Sequence, residues 1–400
     1  MPSAEGVTAA RAPVRHALRG RLALAGAVAL VTLLVGAIRW NVEERHATVD
    51  VFYYAREALT IAGTPQPVAD AEAAQFTFQM LHPHAVGTYA PEPLFISTDP
   101  RYQGTFWQRI FYPLVSAAGV PFVGVNALIV TAWLSAVVAA MAIAFAVRMG
   151  TGSSFLGFLA ALFLVVMPGG RYLYWTLAEA PMLAALAIAL TAAGRYLLNG
   201  GRSTAVVALV ALAVLGATKI GNFDVTVLEF VAVAVLAAVT RRSWWRRAAT
   251  IAAASSGLAG LVLGLNAVLG LPSAVDQAQD FITNHFRRPD HRNPVRDLAL
   301  YTLRFVRAHI HELSGVPHIL LTVGAGLGGL VLAGSAWVWP WLANAAGSVA
   351  LVAYHPVRSP LDRLTAPLWL SVAVGAPLLL NQIWLRFQPV MRRRLAGGSA

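Results

Sequence analysis

Gly124-Val-Asn-Ala-Leu-Ile-Val-Thr-Ala-Trp-Leu-Ser-Ala-Val-Val-Ala-Ala-Met-Ala-Ile-Ala-Phe-Ala-Val147 is a run of 24 residues without one charged side chain. A helix needs roughly 17–25 predominantly apolar residues to cross the hydrocarbon core of a bilayer. Working outward from this run, similar segments recur at about 20–38, 153–168, 174–194, 203–219, 223–240, 247–270, 316–335, 337–354 and 364–381. The sequence therefore predicts an all-α integral membrane protein, a single polytopic domain over residues 1–400 with about ten transmembrane helices. The count runs from nine to eleven, because two segments are short and 316–335 is parted from 337–354 only by Trp337-Val338-Trp339-Pro340-Trp341.

Composition agrees with this reading. The chain is 58% hydrophobic and 12% charged, with a mean hydropathy of +0.63, whereas soluble domains carry roughly 25% charged residues. It has no cysteine, which excludes disulfides and thiol chemistry. Lys219 is the only lysine. With the abundance of alanine, this arginine bias points to a GC-rich bacterial genome and so to the bacterial cytoplasmic membrane.

The net charge of +12 raises the question of a nucleic-acid partner, and its distribution answers it. With the N-terminus placed in the cytoplasm, the inner loops hold Arg11, Arg15, Arg19, Arg21, Arg148, Arg195, Arg202, Arg241, Arg242, Arg246, Arg247, Arg386, Arg392, Arg393 and Arg394, against Glu5 alone. Cytoplasmic loops of membrane proteins carry such an excess. The basic charge is an orientation and headgroup signal, and no nucleic acid is needed to explain it. Both termini are then cytoplasmic. The arginines before the first apolar run also resemble a signal peptide, but no small-residue cleavage pattern follows, so Ile38-Arg39-Trp40-Asn41 reads as the end of an uncleaved anchor. Trp40, Trp107, Trp175, Trp244, Trp245, Trp337 and Trp384 fall at expected span ends, as interfacial belts do.

Two outer loops are long, 41–123 and 271–315, and loops of that length are usually functional. The prolines at 65, 67, 83, 91, 93 and 100 are expected to exclude long helices from the middle of the first. Short interfacial helices are expected after Asp50 and from Pro294 to about Leu313. In the latter, Val295, Leu298, Tyr301, Phe305, Val306, Ile310 and Leu313 share one face, fitting either the membrane surface or a cavity of the protein itself.

Acids near a membrane surface are the first candidates for chemistry, because a carboxylate there is costly to keep. Asp50 opens Val49-Asp50-Val51-Phe52-Tyr53-Tyr54-Ala55-Arg56-Glu57-Ala58-Leu59. Asp is also a favoured N-cap, and residue type alone does not separate capping from function. Glu179, Asp99 and Glu229 are further acids; for Glu179 and Glu229 a structural ion pair is at least as good a reading as catalysis, with Arg171 a partner for Glu179. Arg109, Arg171, Lys219, Arg358 and Arg363 are cations placed by side and depth to meet an anion, each with headgroup snorkelling as the alternative. Asn284-His285-Phe286 is a further candidate contact. His82-Pro-His84 and His309-x-His311 are the nearest approach to metal ligands, but residues i and i+2 point apart on a helix, and no metal is expected.

The Asp50 segment resembles the start of the first outer loop of GT-C superfamily glycosyltransferases, which use polyprenyl-phosphate sugars. Arg109-Ile110-Phe111-Tyr112-Pro113-Leu114 resembles the segment leading into their second span. Leu177-Ala178-Glu179, Ala217-Thr218-Lys219 and Arg363 with Ala366-Pro367 resemble further positions in the same order, although Leu364 stands where a tyrosine is expected and Val51 where some members have a second acid. The resemblance covers about residues 20–240 and 350–381. It implies a mannosyltransferase-like inverting enzyme with Asp50 as catalytic base, cations on the donor phosphate and a lipid or glycan acceptor; the five cations named above are the candidates for the phosphate, Glu179 and Asp99 for a second acid, and His285 for an acceptor contact. It implies no cofactor. A transporter or flippase of lipid-linked intermediates, or a non-catalytic scaffold, are the alternatives.

Overall fold

The computed structural model describes residues 4–84, 99–314, 317–354 and 363–397. Among them there are helices and turns and no strand. In chain order the helices are α1 (Ala4–Val42), α2 (Val51–Ile61), α3 (Gln66–Leu81), α4 (Pro100–Trp107), α5 (Phe111–Ala117), α6 (Val120–Val123), α7 (Ala127–Thr151), α8 (Ser154–Val166) and α9 (Glu179–Asn199). They continue as α10 (Arg202–Thr218), α11 (Ile220–Val239), α12 (Trp245–Val268), α13 (Ala274–Ile282), α14 (Pro294–Ser314), α15 (Pro317–Ala333), α16 (Trp339–Tyr354) and α17 (Ala366–Gly397).

Six segments are long and apolar enough to cross a membrane: Gly20–Val42, Val120–Thr151, Glu179–Asn199, Ile220–Val239, Trp245–Val268 and Arg363–Gln388. This is the make-up of an integral membrane protein. The other four expected spans are helices of 13, 17, 17 and 16 residues, namely α8, α10, α15 and α16. The expected span at 174–194 is displaced: Pro168–Leu173 winds as a 3₁₀ turn, and α9 starts only at Glu179.

Local chemistry sets the ends. Gly152 and Gly200 close α7 and α9 in the left-handed conformation, at φ 73° and 72°, which costs glycine nothing sterically. Ser153 then caps α8 by accepting from the Leu156 amide. The prolines of the first outer segment act against expectation. Pro65 and Pro67 sit at the start of α3, where a missing N–H is harmless, so the 16-residue α3 forms between them and Pro83. Pro100 likewise opens α4.

Small residues bring the helices close. Ala136, Ala139, Ala140 and Ala144 of α7 are buried in one core with Leu183, Ala187 and Leu190 of α9. Gly326 and Gly329 of α15 meet Gly375 of α17 so tightly that a Cβ on any of them would overlap the partner's backbone. The outward faces are apolar: Leu22, Leu30, Leu34, Ile38, Leu228, Val235, Val239, Leu261 and Val268 are all exposed, as lipid contact requires. Arg39 fixes α1 to α8 by donating to the carbonyls of Val165, Val166 and Met167. These are the last carbonyls of α8, which have no helical partner of their own.

On α14 Pro294, Leu298 and Thr302 are buried, while Val295, Tyr301 and Val306 of the expected apolar face are exposed. That face is covered only in part: Leu298 is buried and Tyr301 meets Phe281 of α13 edge-on at 6.0 Å.

Candidate functional site

The segment between α1 and α2 is pinned before it reaches Asp50. The His46 ring stacks on Trp40 with centroids 3.9 Å apart, its amide donates to Met80 O, and its carbonyl accepts from the Thr176 amide. Burial lowers the His46 pKa. Two turn hydrogen bonds, Val51 N to Thr48 O and Phe52 N to Val49 O, then wind the chain into α2.

Asp50 occupies the N-cap position of α2, yet its side chain makes no capping hydrogen bond. It accepts instead from Arg363 Nη1 at 2.7 Å, across 313 residues of sequence. The same Nη1 lies 3.4 Å from Thr48 Oγ1, and Arg363 Nε lies 3.9 Å from Glu179 Oε1. Glu179 Oε1 accepts in turn from Lys219 Nζ at 2.7 Å. The Glu179 and Lys219 side chains are 3% and 13% exposed, so this pair is buried. Arg109 Nη1 donates to Tyr54 Oη at 3.1 Å, and Tyr54 lies one helical turn beyond Asp50.

Five of the sequence candidates thus form one cluster: Asp50, Arg109, Glu179, Lys219 and Arg363. Three cations face two acids, an excess of one positive charge. Burial works to raise the Asp50 carboxyl, but the charges of Arg363, Arg109 and Lys219 and the Arg363 hydrogen bond together hold it below the usual carboxylate range. Asp50 is therefore ionised at neutral pH. Burial pushes the Tyr54 hydroxyl up, so it stays protonated.

An aromatic layer seals one side. Tyr53 stacks on Phe106 at 4.2 Å, Tyr54 meets Phe106 and Tyr112 edge-on at 5.5 and 5.4 Å, and Tyr102 packs on Tyr53 at 5.5 Å. Beyond Tyr102 stands the His285 ring, at 4.9 Å. It is held there by Asn284, His285 and Phe286, three successive left-handed residues at φ 55°, 61° and 59°. Such residues are individually unfavourable. Hydrogen bonds from the His285 amide to Asp280 O at 2.7 Å, and between His285 Nδ1 and Asp280 Oδ1 at 3.0 Å, hold the turn.

An apolar groove lies on the flank of neighbouring helices, and none of the five cluster residues lines it. Its volume is about 480 Å³, and its walls come from α5, α7, α9 and α10. Phe111, Pro181 and Val214 line it, and these lie two residues past Arg109, two past Glu179 and five before Lys219. Deeper lining includes Val138, Ile188 and Val207. From Glu179 to Ile188, α9 descends about 14 Å at 1.5 Å per residue. Leu134, Val206, Val207 and Val210 are exposed along it, so the groove opens sideways.

The other candidates lie elsewhere. Asp99 caps α4 by accepting from the Arg101 amide, and its carboxylate pairs with Arg101, which also bonds Asp290 and covers the Phe286 ring. It is a joint between the two outer segments rather than a second acid of the cluster. Arg171 lies over Tyr172 and Trp175, and is not the partner of Glu179. His285 reaches the cluster only through Tyr102. Arg358 lies outside the described residues. Glu229, read as one half of an ion pair, has no such partner among the described residues; its Oε1 fits against Gly347 of α16 and its Oε2 is unbonded. Sequence reasoning missed Tyr54, whose i+4 spacing from Asp50 was a usable signal, and Thr48, which carried none.

No protein-family model matches this chain, and a search of curated proteins finds no match.

Proposed function

We propose that the chain is an inverting, GT-C-like glycosyltransferase that moves a sugar from a polyprenyl-phosphate donor to a lipid or glycan acceptor at the outer face of the bacterial cytoplasmic membrane. In this reading the four shorter apolar helices complete a ten-span fold with both termini in the cytoplasm. One observation carries it: the carboxylates of Asp50 and Glu179 sit among three cations, and the helices that supply Glu179 and Lys219 also wall an apolar, laterally open groove. A lipid phosphate has that shape, an anion at the end of a hydrocarbon chain. A soluble sugar nucleotide has no use for such a groove.

The roles follow from the geometry. The groove takes the prenyl chain from the side and brings the phosphate to Arg109, Lys219 and Arg363. Asp50 accepts the proton of the acceptor hydroxyl. The hydroxyl oxygen bonds to the anomeric carbon as the bond from that carbon to the phosphate oxygen breaks, and its electron pair leaves on the phosphate. The cations stabilise that charge. Arg363 holds Asp50 directly, which weakens it as a base. An arriving phosphate competes for the guanidinium, so donor binding raises the basicity of Asp50 at the moment it is needed. Glu179 keeps Lys219 and Arg363 in place.

Purified protein with labelled polyprenyl-phosphate sugars tests the reading: covalent product that disappears in a folded Asp50→Asn variant supports it. Glu229, an acid without a cation inside a span, is what favours transport as the second reading. Labelled donor that changes leaflet in vesicles without forming product would establish that instead.

A further inference from the structure

Glu57 is the buried acid that this mechanism leaves unused. Its side chain is 3% exposed, and neither carboxylate oxygen has a hydrogen-bond partner among the described residues. A buried polar group in that state costs about 1–3 kcal/mol, more if charged, so its retention asks for a reason. Helical spacing supplies one. Asp50, Tyr54 and Glu57 follow at i, i+4 and i+7, which places them on one face of α2. Arg109 donates to Tyr54 Oη from across that face. Arg109 thus meets this face of α2 at Tyr54, the residue between Asp50 and Glu57.

We infer that Glu57 is a positioning residue for Arg109: ionised, it draws the guanidinium back from the anion site, and neutral, it releases it. This rests on the proposed lipid-phosphate site. Burial pushes the Glu57 carboxyl up to about 7, against the opposing pull of Arg56 and Arg109, so both forms are populated near neutrality.

The charged and titratable groups around Glu57 come from four helices. On α2 itself the neighbours are Asp50, held low, Arg56, Tyr53, and Tyr54, which stays protonated. The α3 helix brings Asp70 and Glu72, with Glu72 directed at Gly124. The α4 helix brings Arg101 and Tyr102, and α5 brings Tyr112; burial raises both tyrosines.

Farnesyl sulfate is the probe, because its charge is constant between pH 5.5 and 8.5. Its affinity for the detergent-solubilised full chain is measured across that range, in a His285→Gln background that removes the imidazole packed on Tyr102. The expected result is a three- to tenfold loss of affinity from pH 6 to pH 8, abolished in Glu57→Gln, which binds at the tighter level throughout. A profile unchanged by Glu57→Gln overturns the inference. If neither protein binds the probe, the lipid-phosphate reading fails, and infrared titration decides on Glu57 alone. A carboxyl C=O band absent in Glu57→Gln, with a midpoint near pH 7 that rises in Arg109→Gln but not in Arg109→Lys, supports the coupling. A midpoint indifferent to Arg109→Gln overturns it.

Discussion

Replacing Lys219 by Met tests the cluster at its most buried joint. Lys219 Nζ and Glu179 Oε1 are 2.7 Å apart, with side chains 13% and 3% exposed. Removing one partner of a buried pair leaves an uncompensated charge and costs about 3–5 kcal/mol. Here Arg363 Nε remains 3.9 Å from the same oxygen, so the expected loss for Lys219→Met is near the lower end, about 3 kcal/mol. Glu179→Gln is expected to cost less, since Lys219 is the more exposed partner. The double variant removes both charges and is expected to recover about 2 kcal/mol relative to the sum of the single losses. Reversible denaturant titration in mild detergent, with coincident spectroscopic probes to establish two-state behaviour, gives all four free energies. A Lys219→Met loss below about 1 kcal/mol, or strictly additive losses, would show that the two side chains do not form the buried pair and that the cluster is wrongly built.

Asp50→Asn is expected to lower sugar transfer by about 10²–10⁴-fold and to lose the charge stabilisation that Asp50 makes with Arg363 near pH 7; a folded Asn variant with full transfer removes Asp50 from the role of base. Gly329→Ala is expected to cost more than about 2 kcal/mol, because the added methyl meets the Gly375 carbonyl across the α15–α17 contact; wild-type thermal stability would refute that contact. Arg39→Met should cost about 2 kcal/mol, since three α8 carbonyls lose their donor, and the α8 end should gain amide exchange. The pH dependence of stability separates the two acids of α2. Asp50, with a depressed folded pKa, contributes stability that is complete above its unfolded value of 3.8 and is lost as the pH falls through the folded pKa. Glu57 has the opposite sign. Its folded carboxyl holds the proton up to about pH 7 from an ordinary 4.5, so stability falls as pH rises between those values, by about 3 kcal/mol. Glu57→Gln should therefore be more stable than the parent at pH 8 and equal to it at pH 4.

Hydropathy made the apolar helices legible, because length and lack of charge are local properties of the chain. The short helix after Asp50 and α14 were legible for the same reason. The prolines misled, because Pro67 excludes a helix from its own N-terminal side only, and sixteen residues after Pro65 were free to wind. All five members of the cluster stood among the sequence candidates, beside Arg171 and Asp99, which lie elsewhere. Its pairing was not. Glu179 meets Lys219 across 40 residues and Asp50 meets Arg363 across 313, and no local pattern encodes such contacts. Glu57 escaped notice because Arg56-Glu57 looks like a solvated pair, and only the burial of its neighbours from Val51 to Leu59 shows otherwise.

The cluster sits where it does because each charge is placed at an end of an apolar element. Glu179 opens α9, Lys219 joins α10 to α11, Arg109 precedes α5, and Arg363 precedes α17. A charge at a helix end can leave lipid at small cost, whereas the same charge two turns inward cannot. Converging four such ends therefore builds a buried ionic site without placing any charge at the bilayer centre. The same convergence explains the groove, since the apolar residues just inside those ends must line whatever space the helices leave between them. On the proposed function, anion site and hydrocarbon slot are then two consequences of one packing arrangement. A substitution that fills the slot, such as Ala184→Phe, is then expected to weaken binding of a long-chain prenyl phosphate while sparing inorganic phosphate at the cations. Equal loss of both ligands, with the fold intact, would mean that the groove and the cluster do not serve one molecule.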